Sequence, residues 1–289
     1  MNPNRSPVGL WFLQMCLLIS CVVFPGPALS DTHIYAGAVG TNVHDALLFT
    51  TGPLYDTQSG YRFPMVMRDR GLNAGYFRGD VLTFTALSST DLGTGQLPGR
   101  ALLGSRLAVE VVEVLGPVGG SFDFWEGDGE NPGNQITFRV SVGTTNGASS
   151  FVISENDGAP GSDAYGHIHG RAFTTTLPGL YTVGFRLKDV STNGPAGDPL
   201  HAPSAILRMY FQAGPSIESL EPTPTGLRIY FRSAPGVTNV LESTDSLGVP
   251  TWTPIGTGLR GNTTLQWLAD PSPSQEGRFY RLRLLNIPP

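Results

Sequence analysis

The sequence predicts an all-β protein: an N-terminal antiparallel β-sandwich or jelly roll, followed by a smaller C-terminal β-sandwich. Three observations carry that expectation. Short runs rich in β-branched and aromatic residues recur at close intervals, and several alternate polar with apolar. Gly (37) and Pro (24) make up about a fifth of the 289 residues, against roughly 12% in an average protein. Clusters of Gly, Pro and Asn separate the runs, and beyond the first thirty residues no capped helical period reaches ten residues. With 40% hydrophobic and 10% aromatic residues there is enough apolar material for a core.

In chain order, residues 1–30 read as a signal peptide. Arg5 supplies the charged start, Val8 to Phe24 is almost unbroken apolar, and Pro25-Gly26-Pro27 interrupts it. Ala28-Leu29-Ser30 then places small residues where a signal peptidase cuts, so the mature chain is expected to begin at Asp31. A membrane anchor is the alternative, but the run is short for a span. A second route is lipidation, because Leu18-Ile19-Ser20-Cys21 resembles a bacterial lipobox. Val22-Val23-Phe24 continues the apolar run where a lipoprotein turns polar, which favours the soluble route over a lipoprotein anchored through Cys21. Cys16 and Cys21 are the two cysteines of the chain, so cleavage leaves no disulfide, thiolate metal site or Cys nucleophile. The expected location is extracellular, periplasmic or at the cell surface, with no transmembrane segment after cleavage.

Residues 31–214 form the first expected domain. Its candidate strands include Val81–Thr85, Leu107–Val114, Gln135–Val140, Leu180–Leu187 and Ala205–Phe211. The boundary falls near Gly214-Pro215, where a Pro-, Ser- and Thr-rich segment begins. Charge changes there too: residues 31–214 carry 11 basic and 17 acidic side chains, residues 215–289 six of each. The net charge of −5 argues against general nucleic-acid binding. Residues 215–289 offer strands at Leu227–Phe231, Thr238–Ser243, Thr264–Trp267 and Arg278–Arg283.

The strongest chemical signal is Tyr165-Gly166-His167-Ile168-His169-Gly170. On a strand, residues i and i+2 share a face, so both imidazoles can reach one ion. All five histidines lie in the first domain, and His33 and His201 are the expected additional ligands, with His44 the weakest. Zinc, copper or manganese accepts such a set, and Asp163 is placed to orient a ligand from behind. The bland reading is that two same-face histidines make only hydrogen bonds and that the flanking glycines mark a bulge or close packing.

Two resemblances add to this. The order "YGHIHGRAFTTTLPGLYTVGFRLKD", then "STNG", "HAPS" and "FQAG", with "FDFWE" at 122–126, resembles a group of uncharacterised exported bacterial β-sandwich proteins, many with sorting or anchoring tails. It implies an envelope or extracellular β-domain, and for the histidines a recurring motif. The tail's "LEST", "WTPI" and "RFYRLR" resemble an immunoglobulin- or fibronectin-like module found at the C-terminus of large exported bacterial proteins, with Asn239 in place of its usual aromatic. That resemblance implies an immunoglobulin-like sandwich without known chemistry, with Trp252, Phe279 and Tyr280 in its core.

Two enzyme readings compete. Gly161 followed by His167-x-His169 resembles the first cupin motif, but Phe173 and Thr174 stand where its Glu belongs, and the second motif before His201 is one residue too long. Glu126-Gly127-Asp128-Gly129-Glu130 has the E-x-D-x-E spacing of jelly-roll glycoside hydrolases, which would make Glu126, Asp128 and Glu130 catalytic. Glycines and the following Asn-Pro-Gly instead read as loop. G-x-S-x-G and H-E-x-x-H are absent. The balance points away from an enzyme, towards an exported non-catalytic module that binds a divalent metal. A glycan or another envelope component is the expected partner, and a carbohydrate-active or purely structural protein is the alternative.

Overall fold

The computed structural model describes residues 32–68, 71–79, 81–87, 99–127, 135–155, 157–168, 170–233, 237–248, 250–262, 264–273 and 277–285. The signal-peptide segment, both cysteines, Asp128, Glu130 and His169 lie outside the described residues. The structure is all-β, and no described helix is long and apolar enough to cross a membrane.

Among the described residues, thirteen strands precede residue 214. β1 (Thr32–Ala38), β2 (Leu47–Phe49), β5 (Leu82–Ala86) and β10 (Gly166–His167) form a four-stranded sheet in the order β10-β5-β1-β2. The other nine are β3 (Arg62–Met67), β4 (Phe77–Gly79), β6 (Leu107–Leu115), β7 (Ser121–Trp125), β8 (Ile136–Ser141), β9 (Ser149–Val152), β11 (Ala172–Thr175), β12 (Gly179–Asp189) and β13 (Leu207–Ala213). They form one sheet ordered β8-β7-β11-β4-β3-β13-β12-β6-β9, whose end strands return to each other so that the sheet nearly closes. Most neighbours are antiparallel, as expected, but β1–β5 and β3–β13 are parallel. Alternation in single strands cannot reveal that, because it records faces and not neighbours.

An aromatic core joins the two sheets. Alternation turns Phe122 and Phe124 of β7, Phe173 of β11, Phe185 of β12 and Phe211 of β13 inward. Phe84, from the middle of β5, packs its ring 5.1 Å from Phe185 and 5.8 Å from Phe151. Each such ring buries a large apolar area, and edge-to-face pairs add about 0.5–1.5 kcal/mol beyond it. The charged residues of the β6 and β12 runs are accounted for by register. Glu110 stands opposite Arg186, is buried, and is held by Arg186 and Lys188 on the opposite side of β12 from the core. Asp123 of "FDFWE" is likewise buried between its core-facing phenylalanines, with Arg139 bidentate on its carboxylate at 2.8 and 2.9 Å.

Among the described residues, the last six strands pair with one another and with no earlier strand. β14 (Ser216–Thr223), β15 (Gly226–Arg232) and β18 (Gln266–Asp270) form one three-stranded sheet. β16 (Thr238–Thr244), β17 (Thr253–Arg260) and β19 (Phe279–Leu285) form the other. Ile229, Phe231, Val237, Val240 and Leu241 are buried here. The expected core role of Trp252, Phe279 and Tyr280 is corrected. Trp252 is half-buried under the Arg281 guanidinium, Phe279 is 46% exposed, and Tyr280 is half-buried with its hydroxyl donating to Asp270. The β19 pattern alternates exposed with half-buried, so the aromatic pair lies on a strand that covers the sandwich only partly. Asp31–Pro289 forms one compact unit, with an Arg62–Glu218 ion pair linking β3 to β14.

Candidate functional site

The four-stranded sheet turns one face to the core and the other away from it, and the second face brings together His33 and His167. In β1, Ile34 and Ala36 are fully buried while His33 and Tyr35 point the other way. In β5, Leu82, Phe84 and Ala86 face the core, and Thr83 and Thr85 share the side of His33. β5 lies between β1 and β10, and its Thr85 is the register partner of both Tyr35 and His167.

Gly166 fixes this placement. It crosses Ile153 so closely that an added Cβ would stand 1.7 Å from the Ile153 carbonyl oxygen. The glycine before His167 is therefore a packing requirement of β10, whereas Gly170 has a positive φ of 81° and open space where a Cβ would stand. Asp163 Oδ1 accepts the Tyr165 N–H at 3.0 Å and turns the chain into β10.

The outcome is a stack of rings. His33 and His167 lie 4.9 Å apart, centroid to centroid, with planes only 3° from parallel. Tyr35 extends the stack, 6.0 Å from His33. The Thr85 hydroxyl serves both imidazoles, at 3.0 Å from His167 Nδ1 and 3.4 Å from His33 Nδ1. Thr85 itself is buried. Thr51 braces the same stretch of β1, accepting the Tyr35 N–H and donating to the His33 carbonyl.

His201 is not part of this group. It is buried, its Nδ1 sits 2.8 Å from the Asp45 carbonyl, and its Nε2 accepts the Leu102 N–H at 2.9 Å. With both ring nitrogens engaged by backbone, His201 has no lone pair left for an ion and ties three loops together instead. Asp189 reinforces it with a carboxylate that accepts four backbone N–H groups, from Arg106, Ser191, Leu200 and His201. His44 lies exposed in a turn at φ 72°. Among the described residues no group of three or more His, Cys, Asp or Glu is gathered closely enough to hold a metal ion.

Glu126 follows the end of β7 in a bend and pairs with Arg171, Nε to Oε1 at 3.0 Å. The strand stops at Trp125, so Glu126 is not on the regular strand that the E-x-D-x-E reading needs. Thr85 and Tyr35 are the site residues that sequence reasoning missed. The Thr-Phe-Thr alternation in β5 marks Thr85 as outward-facing, but nothing in it names the histidines it meets. Compared with protein-family models, curated proteins and solved structures, the chain gives no match.

Proposed function

We propose that this protein is an exported, non-catalytic module of the cell envelope or extracellular space that binds a divalent transition-metal ion through His33 and His167. One observation carries the reading: two histidines from strands far apart in sequence converge, ring on ring, across one strand. The two imidazoles would supply nitrogen ligands to the ion, with water completing its coordination. An imidazole donor set without a carboxylate suits zinc or copper better than manganese. His169, two residues beyond His167, is the third donor that the sequence offers.

The signal-peptide pattern of residues 1–30 supports export, as does the likeness to exported bacterial β-sandwich proteins with a GHIHGR motif. An envelope component, glycans included, is the partner class that such a location supplies. The test is metal content by elemental mass spectrometry and zinc titration by calorimetry on residues 31–289. His33→Ala and His167→Ala variants are run beside the parent, with His44→Ala as control. One ion bound by the parent and the control, and lost from both site variants, supports the reading. Equal binding by all four proteins, or none by the parent after reconstitution, overturns it.

A further inference from the structure

Away from the histidines, two chain segments run together and then part. His44 N–H donates to the Leu200 carbonyl at 2.6 Å, Leu47 N–H donates to the Ala202 carbonyl at 2.9 Å, and Ala46 bridges Ala202 in the parallel sense. In a continuing parallel ladder the next rungs would join Ser204 N–H to the Leu47 carbonyl and Phe49 N–H to the residue 204 carbonyl. Ser204 N–H donates to the Leu187 carbonyl at 3.0 Å instead, so the segment leaves β2 for β12. β1 does not take up the freed groups. Ala46 accepts from Val39, and Thr50 donates to Tyr35, so alternate residues of β2 bond β1 while Leu47 and Phe49 turn their backbone groups away. Among the described residues no hydrogen bond takes up the Leu47 carbonyl or the Phe49 N–H. The two segments meet again where Asp56 bridges Met209 and Thr57 N–H donates to the Arg208 carbonyl at 2.9 Å. Between the two meeting points opens a cleft of about 450 Å³, within the usual size of a ligand site.

We propose that this cleft docks an extended peptide segment of a partner protein, which adds to β2 as a further strand. The open edge selects a peptide, because an incoming backbone supplies the donor and the acceptor that Ser204 withdraws. The lining sets its side chains. Val39 and Ile206 are exposed there and Leu48 is half-buried, so aliphatic residues fit that end. Asp56 and Arg208 line the cleft as well. The Arg208 charge is matched by Glu113, Nε to Oε2 at 2.8 Å. Asp56 holds the Gln58 and Ser59 N–H groups and enters no ion pair among the described residues. A Lys or Arg of the peptide would meet that carboxylate. The wider field agrees, since residues 31–214 carry 17 acidic side chains against 11 basic ones. The proposal is independent of the histidine pair.

The probe is a display library of random dodecapeptides, selected against residues 31–289, with the selected peptides measured by fluorescence anisotropy. Selection is expected to enrich aliphatic segments that carry a Lys or Arg. Ile206→Asp and Val39→Asp, both at exposed positions, should each weaken binding about tenfold. Asp56→Asn, which keeps the turn's acceptor oxygen, should weaken it about threefold. His167→Ala should leave it unchanged. In NMR the Phe49 amide should exchange with deuterium about tenfold more slowly once a selected peptide is bound. N-methylation at alternate residues of the peptide should abolish binding in at least one of its two phases, because every second N–H of an added strand faces β2. Failure to select any peptide overturns the proposal. So does binding that survives both Ile206→Asp and Val39→Asp, or full affinity after N-methylation in both phases. An oligosaccharide that fills the cleft without protecting the Phe49 amide overturns it too. A second copy of the chain in the cleft, seen as a dimer in sedimentation that Ile206→Asp breaks, does the same.

Discussion

Replacing Asp189 by Asn removes one negative charge and turns one carboxylate oxygen into a donor, with no change in volume. In the native protein Oδ1 accepts from the Arg106 and Ser191 N–H groups, both at 2.9 Å, and Oδ2 from Leu200 at 2.9 Å and His201 at 3.2 Å. Asparagine can serve only one of these pairs. The other two N–H groups then face an NH₂ in a buried site, with no acceptor. A hydrogen bond to a charged group contributes about 1.5–3 kcal/mol, and stranding the buried donors adds to that, so the loss is about 4 kcal/mol. For a chain of this size each kcal/mol moves the melting temperature by roughly 2–4 °C, so a fall of about 10 °C is expected. Thermal unfolding followed by circular dichroism measures it, with the exposed Asp198→Asn as a control expected to stay within about 0.5 kcal/mol of the parent. A melting temperature for Asp189→Asn within about 2 °C of the parent would refute the reasoning that this carboxylate locks the loops around His201.

Three further outcomes follow from the same geometry. Gly166→Ala should displace β10, because its Cβ would overlap the Ile153 carbonyl; a loss of stability of order 2 kcal/mol together with loss of zinc binding in calorimetry is expected. Burial alone would raise the Glu242 carboxyl, but the hydrogen bonds and charges of Arg283 and Arg281 outweigh it and hold it below the ordinary range. Its contribution is therefore present above about pH 4.3, the unfolded value, and fades as pH falls through the lower folded value. Urea midpoints between pH 6 and 2.5 should fall less steeply in Glu242→Gln than in the parent. Burial raises the Tyr181 phenol despite the Leu177 N–H it accepts, so the folded protein keeps that proton where an unfolded chain loses it. Stability from Tyr181 is complete below about pH 10 and is lost as pH climbs through its higher folded value. Tyr181→Phe should flatten the alkaline limb of the stability curve and cost about 1–3 kcal/mol at neutral pH, because the Leu177 backbone loses its partner.

Much of the strand content was legible in the sequence. The runs at 107–114, 180–187, 227–231 and 238–243 lie within observed strands, and those at 81–85, 135–140, 205–211, 264–267 and 278–283 begin one or two residues ahead of theirs, because alternation is a strong periodic signal whose ends are less sharply marked. β10, with only two residues, has no period to read, and yet it carries His167. The flanking glycine was visible but its reason was not, since the close approach of Ile153 is a tertiary fact. His33 and His167 could be named as candidates, but their meeting depends on β5 lying between β1 and β10, which no local pattern encodes. His201 misled for the opposite reason: its partners are the backbone atoms of Asp45 and Leu102, and backbone partners leave no mark in composition or spacing.

The parallel pairing of β3 with β13 also sets a timetable for folding. β3 ends at Met67, and its neighbour on one side does not begin until Leu207. A chain that emerges from its N-terminus first therefore carries a half-finished sheet, with Phe63 and Met65 uncovered, until nearly all of the residues before 214 have appeared. Pairings that close so late make folding slow and leave an unpaired strand edge open to a neighbouring chain. The first 200 residues are thus expected to commit to their fold almost at once at the end, rather than strand by strand as they arrive.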